Sequence, residues 1–425
     1  MITLHALLRP FFIAGVSLLI SPGLVAGTAD LSISKTSAGI PQPVSPEANW
    51  LTGEGVALAG VLFPQVHFDS IYGGSTADPA TLAVGHHDPD RKGWTISNIE
   101  FGASLRVNEY IEAFGTYAAK IDPDDKWAGE YEEWFLKLKN LPGGLEIRGG
   151  QYYNRIGIQN TFHPHGFDWA DQYLVNGRFL GEDGLASIGG EVTWKLPVNW
   201  TSLINISVGV APTREEEAHA EPEVEPEFEA EGATFDDVIT VVNWTNLFDY
   251  NDFHQFRAGL SGAWGDNLWG KTSQIYGAHF EYQWRQNGYE SGGRYFRWRT
   301  EAMLRSFEAV SGHLPGEVEL AEEGDEAHDE KPHTGSFDEV GLYSSVAYGL
   351  NNGLEFGLRG EFVEGIAAAG LDRRFRVSPG ATYYLNKART VKLRLQYNYD
   401  HSNDFDDEHS IWAQVGFAWG GAEVR

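Results

Sequence analysis

Residues 391–400 read Val-Lys-Leu-Arg-Leu-Gln-Tyr-Asn-Tyr-Asp, apolar or aromatic at every second position and charged or polar between. Successive side chains of a strand point to opposite faces, so this pattern predicts one greasy face and one wet face. The length is that of a tilted strand crossing a bilayer, about 9–11 residues. About sixteen such segments follow one another, near 56–69, 94–107, 109–120, 130–139, 144–153, 185–196, 201–211, 236–246, 252–265, 273–286, 292–306, 338–349, 353–365, 372–385, 389–400 and 409–419. An even number of two-faced strands predicts an all-β fold, a transmembrane antiparallel up-and-down β-barrel.

The connections support this order by their lengths. Asn108-Glu109, 140–144, Pro197-Val198-Asn199, 246–251, 286–292, Asn351-Asn352-Gly353 and Asn386-Lys387-Ala388 carry the Asn, Gly or Pro chemistry of tight turns. The connections between them are mostly longer. Bacterial barrels have short periplasmic turns and long extracellular loops, so a periplasmic N-terminus puts every tight turn on the periplasmic side. Parity then assigns Leu354, Phe356, Leu358, Gly360 and Phe362 to the lipid face. Tyr276, Ala278, Phe280, Tyr282 and Trp284 share it, as do Ile411, Ala413, Val415, Phe417 and Trp419.

Export is written at the start of the chain. His5 and Arg9 give a weakly basic opening, 11–20 is apolar, and Val25-Ala26-Gly27 is a small-residue cleavage site. Residues 1–27 are therefore expected to be a signal peptide, 28–55 a periplasmic segment and 56–425 the barrel. No later run is apolar for long enough to span as a helix. The expected location is the Gram-negative outer membrane, with lipid and lipopolysaccharide as surroundings. The absence of Cys removes disulfides and thiolate metal sites. A formal charge of −29 argues against nucleic acid as a partner. Whether three barrels join as a homotrimer is left open.

Parity also assigns the lumen. Arg148, Arg257, Arg285, Arg297, Arg299, Arg359, Arg374, Arg376, Lys392 and Arg394 face inward, with Glu100, Glu146, Glu191, Glu281, Glu301, Glu355 and Glu361. Buried charges must be hydrated or paired. Either the lumen is water-filled, with a basic stripe on the C-terminal strands that selects solutes, or the charges pair across strands and stabilise the wall.

The long loop after the fifth strand, 152–184, is too aromatic for an ordinary solvent loop and is expected to fold inward and narrow the pore. It carries His163 and His165 around a Pro, with Asp168 and Asp171 close by. Imidazole and carboxylate are the usual non-thiol zinc ligands, so these four are metal candidates. The alternative is a set of polar residues packing a constriction. Two further loops, 215–231 and 317–333, are acidic and low in complexity, and carry His219, His328 and His333. With His86, His87, His313 and His409 they would place most histidines at an extracellular mouth. Such a mouth either gathers divalent cations or is a solvated anionic surface.

Three runs carry a family resemblance. They are Gln151-Tyr152-Tyr153-Asn154-Arg155, then His163-Pro164-His165-Gly166-Phe167-Asp168-Trp169, then Gln172-Tyr173-Leu174-Val175-Asn176-Gly177-Arg178-Phe179-Leu180-Gly181-Glu182-Asp183-Gly184-Leu185. Together with Val241-Val242-Asn243-Trp244 and Gly293-Arg294-Tyr295-Phe296-Arg297-Trp298-Arg299 they resemble a proteobacterial outer-membrane family often labelled zinc-regulated TonB-dependent outer-membrane receptors. The resemblance implies an outer-membrane location and a link to zinc. Such transporters have about 22 strands and a plugged lumen. Here roughly 26 residues separate the cleavage site from the first strand, which fits a passive porin-like barrel better. The expected function is a channel for small solutes or ions, assisting zinc uptake in its narrower form. The alternative is a non-conducting barrel that binds metal or a surface partner. No cofactor is required, zinc being the one candidate. No motif calls for the Ser, His and acid of a hydrolase, so no enzyme is expected.

Overall fold

A computed structural model describes residues 56–57, 61–122, 125–212, 235–290, 292–311, 333–386, 389–405 and 407–420. The expected signal peptide, the whole of the expected periplasmic segment, His219, His313 and His328 lie outside these residues. The strands are β1 (Val61–Ser75), β2 (Gly93–Arg106), β3 (Ile111–Ile121), β4 (Trp127–Leu141), β5 (Leu145–Tyr153), β6 (Ala186–Lys195), β7 (Thr201–Val210) and β8 (Val238–Asn251). They continue as β9 (His254–Asp266), β10 (Thr272–Arg285), β11 (Tyr295–Val310), β12 (Thr334–Gly349), β13 (Leu354–Val363), β14 (Arg374–Tyr384), β15 (Val391–Ser402) and β16 (Glu408–Gly420). Each pairs antiparallel with its sequence neighbours, and a two-residue strand, Val56–Ala57, lies against β1.

The sheet closes on itself. β16 pairs with β1 from Ser410 opposite Ser75 to Gly420 opposite Gln65, so no long edge is left to hydrogen-bond elsewhere. All sixteen expected strands form. The first begins at Val61 rather than 56, and β11 and β12 run on to Val310 opposite Thr334. Neighbouring strands can satisfy each other's backbone beyond the bilayer, where side-chain alternation no longer reports them.

The alternation sorts side chains as parity predicts. Phe356, Leu358, Leu393, Leu395, Ile411, Val415 and Phe417 are exposed on the outer wall, while Arg359, Arg394 and Gln414 between them are buried within. An apolar band around a closed barrel with a polar interior belongs in a membrane, because only closed strands leave no backbone group unsatisfied in lipid. This is the architecture of a Gram-negative outer-membrane protein.

Among the described residues four strand pairs shift register, among them β1 with β2 and β3 with β4. On β3 and β4, Thr116 faces Glu133 but Ala118 faces Glu130, so β4 has one extra residue there. On β1 and β2, Asp69 faces Asn98 but Ser70 faces Ile96. An extra residue re-aims the side chains beside it. Glu132 and Glu133 therefore both point inward, although adjacent strand residues normally do not.

The loop after β5 does more than narrow the lumen. It folds inside the wall and forms the helix α2 (Leu174–Leu180), the short α1 (Pro79–Leu82) lying in the loop after β1. Trp169, Tyr173, Leu174, Val175, Phe179 and Leu180 pack with Ile239, Val241, Ala263, Ile275, Met303, Tyr343 and Val363, all inward-facing wall residues. At this level part of the barrel interior is therefore an apolar core. Two glycines permit the approach. Gly157 has a φ of +64°, and a Cβ there would strike the Glu301 carboxylate. A Cβ on Gly177 would strike the carbonyl of Val84, from the loop after β1 that packs against α2.

Candidate functional site

The inserted segment, residues 154–185, is bonded around almost the whole circumference. On one side it meets arginines. Asp168 pairs with Arg297 at 2.6 Å and Arg299 at 3.0 Å, and Arg299 also reaches Glu281 at 2.6 Å. Asp171 pairs with Arg359 at 2.7 Å and Arg376 at 2.9 Å, and accepts from Gln396 and Asn398. Burial alone would raise the Asp171 carboxyl, but the two guanidiniums hold it below its usual range. Arg359 also lies over the rings of Trp169 and Tyr173, 5.0 and 5.4 Å from their centroids.

The remaining lumen residues expected from parity are placed as follows. Arg374 and Arg376 share Asp400 and both donate to the Leu82 carbonyl of the first loop. Arg394 donates to Phe167 O at 3.0 Å, and Lys392 bridges Asp69 at 3.2 Å and His165 O at 3.4 Å. Glu301 accepts from the amide of Gln159 and the hydroxyl of Tyr343; Glu361 accepts from the amide of Leu174. Arg148 pairs with Glu191 at 2.9 Å beneath Arg155. Arg257 is buried in the wall, while Arg285 is half-buried and donates to Gln283. Most of the named cations are thus paired rather than displayed to water.

The opposite side is built from imidazole and carboxylate. His163 Nδ1 lies 2.8 Å from Glu100 and its Nε2 2.9 Å from Glu133, while His165 Nδ1 lies 2.7 Å from Glu100. A second group sits in the outer loops, with His86 3.9 Å from Asp183 and His87 3.9 Å from Glu130.

Among the metal candidates, His163 and His165 do come together. Asp168 and Asp171 do not join them, and this corrects the sequence expectation: their carboxylates are taken by arginines of β11, β13 and β14. His333 is exposed and bonded to Ser311. Sequence reasoning missed His67, Glu132, Glu133, Arg305 and Glu339. His67 was available from parity. Glu132 and Glu133 were not, because consecutive inward residues fit no period of two. Arg305 bonds Glu339 at 2.6 Å, and Arg178 of α2 meets the same acid at 3.3 Å.

Two clefts flank the segment. One is lined by Asp168, Trp169, Arg297, Glu355, Thr382 and Arg394, toward the periplasmic ends of their strands. The other is lined by His87, Tyr153, Gln159, Phe167, Gln172 and Asp183, toward the outer loops.

No family model matches this chain. An uncharacterised protein of Aquifex aeolicus is 28% identical over 119 residues, which is 28% of this chain and 24% of that protein. The chain thus matches only about a quarter of that relative's length. Among solved structures, an anion-selective porin from Comamonas acidovorans is similar over 84% of this chain and 99% of its own, with a TM-score of 0.51 and 10% identity. OmpF of Salmonella typhi, in complex with daunomycin, is similar over 86% and 99%, with a TM-score of 0.48 and 13% identity. Nothing in these similarities supports the zinc-regulated, TonB-dependent label. What the likeness to the Comamonas porin establishes is the fold, a closed sixteen-strand antiparallel barrel of the outer-membrane porin type.

Proposed function

We propose that this chain is a non-enzymatic outer-membrane channel for small solutes, and that the segment 154–185 controls passage through it. The observation that carries this reading is a closed sixteen-strand barrel whose interior is occupied by that one segment, with a small cleft beside it toward each end. Ion pairs, hydrogen bonds and apolar packing hold the segment to the wall, none of them part of the sixteen-strand ladder, so it can shift while that ladder stays intact. An anion preference, such as the name of the Comamonas porin states, would need Arg297 and Arg394 to face solute, and both line the inner cleft. Planar-bilayer recording of the purified barrel tests the proposal: ion-conducting steps are expected, and their absence in every preparation would overturn it.

A second reading, a non-conducting barrel that binds metal or a surface partner, is favoured by the bonding of the segment around nearly the whole wall. The same recording separates the two, since the non-conducting barrel gives no steps even when the segment is loosened. Zinc passage is the narrower form of the first reading, tested by the reversal potential in a zinc gradient. Assembly as a homotrimer belongs to this proposal too, and the mass of the barrel in mild detergent reads it.

A further inference from the structure

The side of the lumen opposite the arginines gathers groups that the channel reading does not use. His67 of β1 and Glu100 of β2 are direct cross-strand partners. The β4 bulge turns Glu132 and Glu133 inward together, and His163 reaches both from the inserted segment. Glu100 bridges the two segment histidines: Oε1 lies 2.8 Å from His163 Nδ1 and Oε2 2.7 Å from His165 Nδ1. Glu132 Oε2 is 3.4 Å from the same His163 nitrogen. His67 stacks face to face on His165, with ring centroids 3.6 Å apart. One ligand atom each from His67, Glu100 and His165 lies within 4.8 Å of the others, and the same holds for Glu100, Glu132 and His163.

Burial makes this arrangement expensive as a set of bare side chains. Glu100 and His163 are fully buried, and Glu132 is 3% exposed. Neither oxygen of Glu132 makes a hydrogen bond among the described residues, an uncommon state for a buried carboxylate. Glu100, Glu132 and Glu133 crowd around the His163 imidazole; Arg148 stands 4.0 Å from Glu133 and His165 bonds Glu100, but neither is paired with Glu132. A divalent cation supplies two charges at one point and takes carboxylate and imidazole together. The mixed nitrogen and oxygen donors suit zinc and its transition-metal neighbours; calcium and magnesium take oxygen alone. An outer layer is also present. Glu133 touches the far nitrogen of His163 at 2.9 Å and accepts from the amide of Tyr153 at 2.9 Å, the kind of support that orients a ligating imidazole.

We propose that two ligand groups that share Glu100, one with His67 and His165 and one with Glu132 and His163, bind a divalent transition-metal cation, which pins the inserted segment to β1, β2 and β4. The site is independent of the channel reading and stands whether or not the barrel conducts. Binding displaces protons shared between imidazole and Glu100, so affinity falls in acid.

The test uses the full-length barrel, extracted folded in detergent and stripped with a chelator. Zn²⁺ binding is followed by calorimetry, and Co²⁺ by its visible absorption. Glu132→Gln and His67→Gln should each weaken Zn²⁺ by more than about a hundred-fold, beyond the 10–100-fold cost of losing an outer partner. A triple variant, His219→Ala with His328→Ala and His333→Ala, should bind as the wild type does. Zn²⁺ should also raise the temperature at which the heat-modified gel band appears, in the wild type and not in Glu132→Gln. Wild-type affinity in both buried variants, or loss confined to the triple variant, would overturn the site. If Glu132→Gln does not yield a heat-modifiable barrel, His67→Gln and His165→Gln carry the same comparison.

Discussion

The two walls of the lumen grip one segment with opposite chemistry. On β11, β13 and β14, guanidiniums clamp Asp168 and Asp171. On β2 and β4, carboxylates clamp His163 and His165. Arginine keeps its charge at every physiological pH, so the first clamp is fixed. Imidazole exchanges protons near neutrality and ligates metals, so the second can respond to its surroundings. The movement proposed for the segment would turn about the permanent side.

The largest effect should come from reversing the permanent clamp. Arg297→Glu with Arg299→Glu sets two new carboxylates against Asp168 and Glu281. Each buried pair so broken costs about 3–5 kcal/mol. Protease should then cut within 154–185, and the reversal potential should move toward cations. An uncut segment and an unmoved potential would mean that these arginines do not hold it.

Asp171→Ala comes next. It leaves Arg359 and Arg376 without their shared carboxylate, at about 3–5 kcal/mol. The expected reading is larger conductance steps in a planar bilayer; steps of wild-type size would assign the holding force to the imidazole side instead.

A smaller effect should follow from pH. Asp88 of the first loop accepts from the amides of Val84, Gly85 and Gln172, and so ties that loop to the segment. Burial, then the charge of Asp171, push its carboxyl up from 3.8 to about 6, against those amides and Arg376. A raised carboxyl stabilises the folded contact fully below its unfolded value and loses that stabilisation as pH rises through the folded one. With chelator present, conductance should therefore increase from about pH 4 to about pH 7. Asp88→Asn should flatten the rise, and a wild-type profile in that variant would remove Asp88 from the mechanism.

The smallest is Tyr173→Phe. It removes a hydroxyl that accepts from Trp169 Nε1 and bonds Ser345, at about 1 kcal/mol. A thermal midpoint lowered by more than the Asp171→Ala variant shows would reverse this ordering.

The strands, their facing and the side of each turn were legible in the chain because a period of two and the residues of tight turns are local properties. Arg359 between Leu358 and Gly360, or Arg394 between Leu393 and Leu395, faces inward on parity alone. The aromatic character of 152–184 likewise marked an inserted loop, since such residues need something to pack on. The pairing across the lumen was not legible. Asp168 lies 131 residues from Arg299, and Asp171 lies 205 from Arg376. Nothing in residues 163–171 says which acid goes to arginine and which histidine goes to glutamate. Sequence alone thus determined a two-faced wall, its membrane, and a segment destined for its interior. Closure of the sheet decided what that segment touches, and a one-residue bulge in β4 turned Glu132 and Glu133 inward to complete the imidazole side. A bulge is set by how two strands share hydrogen bonds, a relation that exists only once they are paired.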